Sequence, residues 1–164
     1  MKRQGEDHID RMIASWHEAD PGVDASPLRV AGRVLRLAAV LRQRIDDALQ
    51  PLGLSYGDFD VLNTLRREGG TLSPTRLAEA ALITSGAMTT RLNRLEERGF
   101  VRRTPDRTDR RSMPISLTPR GRRLARRALA AVLEVDREMI GPLSERQQAA
   151  VAGGLRTMLY AAEH

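Results

Sequence analysis

The chain has 164 residues, a formal net charge of +6, 3% aromatic residues and no cysteine. That length suits one compact domain or a small domain with helical extensions, and the missing thiols exclude disulfides, cysteine nucleophiles and thiolate metal sites. No apolar run approaches the ~18 residues of a membrane span, and Met1 to Asp7 lack the apolar segment of a signal peptide, so a soluble cytoplasmic protein with no membrane partner is expected.

The charge is unevenly placed. Between Thr84 and Arg127 there are 13 arginines against four acids, a net +9 that leaves −3 for the rest of the chain. Such a local basic surface is the electrostatic footprint of a polyanion partner, and arginine, unlike lysine, makes bidentate pairs with phosphate and guanine. An enzyme is not expected. The sequence has no Gly-rich phosphate loop, no metal-ligand spacing among His8, His17 and His164 and no nucleophile paired with a base, so no catalytic residue, metal or cofactor is assigned.

In chain order, Glu6 to Ala19 reads as a short helix, with Ile9, Met12, Ile13 and Trp16 at helical spacing and Asp20-Pro21-Gly22 as its stop. Pro27 to Gln50 repeats apolar residues at Val30, Val34, Leu37, Leu41, Ile45 and Leu49, a long amphipathic helix closed by Pro51 and Gly53. Ser55 caps the next helix through Arg67, with Asp58 at the capping-box position and Phe59, Leu62 and Leu65 inward. Periodicity puts Asp60 on the opposite side with Asn63 and Thr64, as a solvated acid. Ser73-Pro74 opens a short helix through Ala80, packed by Leu77.

Thr84 to Arg98 reads as a helix with Thr84 as N-cap and Gly99 as the left-handed stop. At 100 degrees per residue, Met88, Leu92 and Leu95 cluster on one face, and Thr89, Thr90, Asn93 and Arg94 lie opposite. That outer face is small and hydrogen-bonding, as a major-groove recognition helix requires. Residues 101–117 read as a hairpin in which Val101 and Arg103 share one face, and Met113, Ile115 and Leu117 alternate with Pro114 and Ser116. Its tip carries Arg107, Arg110 and Arg111 among turn-forming aspartates, suited to phosphate or a minor groove. Thr118-Pro119 starts another helix to Gly141, and Ser144 with Gln147 caps the last.

The expected fold is therefore mostly α with a small β-hairpin wing: a winged helix-turn-helix core at 51–117, flanked by N-terminal helices at 1–50 and C-terminal helices at 118–164. The core cannot cover the apolar stripes at both chain ends, which points to pairing across a two-fold axis; folding back within one chain is the alternative. Double-stranded DNA and a second copy are the expected partners. Ser73, Thr75 and Arg76 on the short helix, Ser85, Thr89, Thr90, Asn93 and Arg94 on the recognition helix, and the three tip arginines are the candidate DNA-binding residues.

The helix order, Leu72-Ser73-Pro74-Thr75-Arg76-Leu77-Ala78, the run Met88 to Glu96, the wing Asp106 to Ser112 and Leu117-Thr118-Pro119-Arg120-Gly121 together resemble the MarR family of bacterial transcription regulators over nearly the whole chain. Within it the chain is similar to the urate-responsive branch, which adds an N-terminal helix bearing a Trp. The resemblance implies a homodimeric repressor on a palindromic operator, released by a small anionic effector such as urate. It also implies that Trp16, Asp60, Arg91 and Arg103 hold that ligand, whose arrival repels Asp60 and shifts the recognition helix. From the residues alone, Arg91 lies at the edge of the apolar face and Arg103 shares a face with inward Val101, so both need an anion; protein acids such as Asp60 or Glu79 are the alternative to a ligand. An aromatic acid, a small carboxylate such as aconitate, or no ligand at all are the other readings.

Overall fold

The computed structural model describes residues 5–81, 85–104 and 113–164, and side chains over the same ranges except 85–87. In order the elements are α1 His8–Ala19, α2 Leu28–Leu49, a 3-10 turn Gln50–Leu52, α3 Tyr56–Arg67, β1 Thr71–Leu72, α4 Pro74–Ala80, α5 Ser85–Glu97, β2 Val101–Arg103, β3 Ile115–Leu117, α6 Pro119–Ile140 and α7 Glu145–Glu163. They form two compact units, 1–44 and 45–164.

In the first unit, Asp7 caps α1 through a reciprocal box with Asp10. Both carboxylates also accept from the Arg33 guanidinium on α2, each at 2.7 Å. Gly32 lets the Ile9 side chain lie against the α2 backbone, since a Cβ there would meet Ile9 Cδ1 at 3.1 Å. A buried apolar contact and a fork of two ion pairs thus join α1 to α2.

The second unit is built around α3, which packs on α4, α5, α6, β1 and β3. Being surrounded, it buries Phe59, Val61, Leu62 and Leu65 and also Asp58, Asp60 and Thr64. The expected solvated Asp60 is therefore corrected: it is 6% exposed, because the elements packed on α3 cover that side of its first turns as well, and exposure begins only toward its C-terminal end at Arg66 and Arg67. A second correction concerns the sheet. It has three antiparallel strands in the order β1-β3-β2, with Leu72 opposite Ile115 and Val101 opposite Leu117, so Thr71-Leu72 adds an edge to the hairpin. Ser116, on the middle strand, is consequently buried and accepts from Arg102 Nε at 3.3 Å, and Met113 lies outside β3 and is exposed.

Gly99, at φ 71°, ends α5: its N–H donates to Glu96 O at 2.8 Å and that of Phe100 to Leu95 O at 2.9 Å. The exit from β3 is equally specified. Thr118 N–H and hydroxyl both donate to Phe100 O, and the same hydroxyl caps α6 at Gly121 N. α7 buries none of its residues, and Val151, Leu155, Met158, Leu159 and Tyr160 are exposed along it, as are Val30, Val34, Leu35 and Leu37 on α2. A Cβ added at Gly153 or Gly154 would meet no neighbouring atom within 4 Å among the described residues.

Candidate nucleic-acid interface and ligand site

Helix α5 divides as the periodicity requires. Met88, Leu92 and Leu95 are buried, each worth about 1.5–3 kcal/mol against exposure, and they fix the helix so that Thr89, Thr90, Asn93 and Arg94 face solvent. Two of these outward residues are also tied down. The Arg94 guanidinium pairs with Asp58, whose side chain is 2% exposed, while remaining 48% exposed itself. Asn93 Oδ1 accepts from Arg103 Nη2 at 2.8 Å. The outer face of α5 is thereby held from both sides, by the N-terminus of α3 and by β2.

Asp58 carries two duties at once, half of a capping box and an ion pair. By accepting from the Ser55 N–H at 3.0 Å it completes the capping box of α3, and it neutralises Arg94. Burial pushes its carboxyl up, but the bonds from Arg94 and Ser55 outweigh that and hold it below its ordinary value. A carboxylate depressed in the folded state adds stability that is fully present above its unfolded pKa and lost as pH falls through the lowered folded value. Stability measured by urea unfolding should therefore decline below about pH 5, and Asp58→Asn should flatten that decline. An Asp58→Asn variant with the wild-type pH slope would contradict this role.

On α4, Ser73 Oγ serves as the N-cap, accepting from Arg76 N at 3.3 Å, and Thr75 and Arg76 are exposed, Arg76 beside Glu79 at 3.4 Å. The Thr84 cap, the Ser85 side chain and the tip arginines Arg107, Arg110 and Arg111 lie outside the described residues.

Of the four expected ligand residues, Asp60, Arg91 and Arg103 belong to the second unit and Trp16, 47% exposed on α1, to the first. Arg91 lies across Gly57 of α3, one turn before Asp60; a Cβ at Gly57 would fall 2.2 Å from Arg91 Nε. That Nε is buried and, among the described residues, has no hydrogen-bond partner, a costly state for a charged donor. Arg103 has a protein acid, but neither Asp60 nor Glu79. Its guanidinium pairs with Glu96 on α5, and Glu96 also accepts from the Arg103 backbone N–H at 3.0 Å. The sequence marks Asp58 only as half of a capping box and gives Gly57 and Glu96 no role in a site. Glu96 carried the one available signal: it is the acid beside the last turn of a helix that runs straight into β2.

The MarR family pattern matches residues 52–112, which span the core from the 3-10 turn to the wing. The HTH-type transcriptional regulator PecS of Dickeya dadantii is 33% identical over 142 residues, covering 85% of this chain and 86% of PecS. The chain belongs to the MarR family. It is a transcriptional regulator of the MarR type, with the family's winged helix-turn-helix fold. The HTH-type transcriptional repressor Rv2887 of Mycobacterium tuberculosis is 42% identical over 113 residues, 69% of this chain and 81% of the repressor. Its structure in complex with salicylic acid superposes with a TM-score of 0.63 at 37% identity, over 79% of this chain and 95% of that one. A mutant MarR from E. coli, complexed with operator DNA, shares the fold at a TM-score of 0.70 and 24% identity, over 88% of this chain and 97% of the other. Among the described residues no helix is long and apolar enough to cross a membrane, and no cluster of ligating side chains could hold a metal ion.

Proposed function

We propose that this MarR-family chain is a cytoplasmic, homodimeric repressor of a palindromic operator, released by a small anionic ligand. The 51–117 core reads DNA through the outer face of α5, Ser73, Thr75 and Arg76 of α4 and the wing arginines. The helices of 1–50 and 118–164 pair two copies, a role supported by the exposed apolar residues of α2 and α7 and by the open surface at Gly153-Gly154.

The observation that carries the ligand reading is the unsatisfied, buried Nε of Arg91 in the same unit as Arg103. An anion accepting from Arg91 and competing with Glu96 for Arg103 would loosen the Arg103–Asn93 bond, and Asn93 stands on the reading face. Ligand and DNA are then linked through one side-chain chain, and a coupling of about 1–3 kcal/mol changes operator occupancy several-fold or more. Asp60, buried one turn after Gly57, completes the site in this reading. Urate or a related purine product is the first candidate. An aromatic carboxylate is the second, favoured by the salicylic acid complex of the Mycobacterium tuberculosis relative.

The test is a gel-shift on the upstream fragment with urate and salicylate titrated separately. Wild type should release DNA with one of them, and Arg91→Ala and Gly57→Ala should bind DNA yet resist release, because the added Cβ at residue 57 evicts the Arg91 guanidinium. If neither anion dislodges the wild type, or both variants respond as it does, the ligand reading is wrong and a ligand-independent DNA binder remains.

A further inference from the structure

We infer that the groove between the 3-10 turn, the end of α5 and the start of α6 is a second anion site, for a small polyanion of the phosphate-ester or polycarboxylate class. It is a cavity of 380 Å3, with Phe100 and Leu124 in its lining and Arg98, Arg120, Arg123 and Arg127 around it. It is distinct from the Arg91 and Arg103 site and does not depend on it.

Three features single it out. Arg120, Arg123 and Arg127 fall on one face of α6 at spacings of three and four residues, where like charges repel, and among the described residues no ion pair joins any of the four arginines to a carboxylate. Arg120 also stands in the first turn of a helix that has no acid there, the end at which the helix dipole disfavours positive charge. An anion relieves both penalties at once. Finally, two guanidiniums are already held: those of Arg98 and Arg120 sit 4.9 and 4.8 Å from the Phe100 ring centroid, and Arg98 Nη1 donates to Gly53 O at 2.8 Å. Donors fixed before binding lose little freedom on binding, and a concave cavity of this volume suits a small molecule. Arg98 directly follows α5 and Phe100 closes its end, so an occupant bears on the recognition helix from the side away from its N-terminus.

Isothermal titration of the full chain with tripolyphosphate, and separately with citrate, tests the site. Saturable binding of one of them, one molecule per chain, is expected, and the identity of the better probe assigns the chemical class. Arg120→Gln with Arg123→Gln, both exposed, should weaken it about tenfold or more, whereas Arg66→Gln on α3 should leave it unchanged. Three results would overturn the inference: no saturable binding of either anion, equal weakening by the α3 and α6 variants, or a double variant that keeps its anion affinity but loses affinity for a mixed-sequence duplex. The last would make these arginines contacts to the DNA backbone.

Discussion

Replacing Gly121 by alanine should destabilise the second unit by about 3 kcal/mol, near the upper end of what an overpacked core position costs. A Cβ at 121 would stand 1.9 Å from the Phe100 carbonyl oxygen and 2.8 Å from its carbon. Those are backbone atoms with nowhere to go. The same oxygen accepts from Thr118 N at 3.0 Å and Thr118 Oγ1 at 3.2 Å, and Phe100 N–H is engaged in closing α5. Relief therefore requires the first turn of α6 to lift, which uncovers Leu124, Ala125 and Ala128 and loosens the turn between the recognition helix and the wing. Urea unfolding checks it; a Gly121→Ala variant within ~0.5 kcal/mol of wild type would show that the α6 start is not packed as described.

How much of this was legible beforehand follows from which interactions are local. The caps at Ser55, Ser73, Thr118 and Ser144 and the left-handed Gly99 involve residues within a few positions of one another, and each stands where the sequence pattern puts it. The buried stripe of α5 was equally readable, because one face of that helix meets the core and one meets solvent. Asp60 and Thr64 were not, since the same periodicity argument assumes a free face and α3 is enclosed by neighbours. β1 is two residues long and carries no alternation to detect. The bonds that make the candidate site, Arg94 to Asp58, Arg91 over Gly57 and Arg103 to Glu96, depend on how helices and strand are set against each other in space. Sequence marked Arg91 and Arg103 as needing an anion; only the fold gave Arg103 a protein partner in Glu96 and, among the described residues, left Arg91 Nε without one.

Thr90→Asp should abolish operator binding while leaving the fold intact. Thr90 is exposed on the outer face of α5, so the substitution disturbs no packing, and Asp and Thr have similar helix propensities. In the complex, however, it would set a carboxylate against base edges and phosphates, and opposing like charges across an interface costs several kcal/mol, a loss of about 100-fold or more. Wild-type affinity should also fall steeply as salt rises, as it does when several phosphates are neutralised. The decisive measurement is fluorescence anisotropy of a labelled upstream duplex against wild type and Thr90→Asp over a range of salt, with thermal melting as the check on folding. Tight, salt-sensitive binding by wild type and none by an equally stable Thr90→Asp is the result predicted here. Equal binding by both would contradict the assignment of this helix face to DNA.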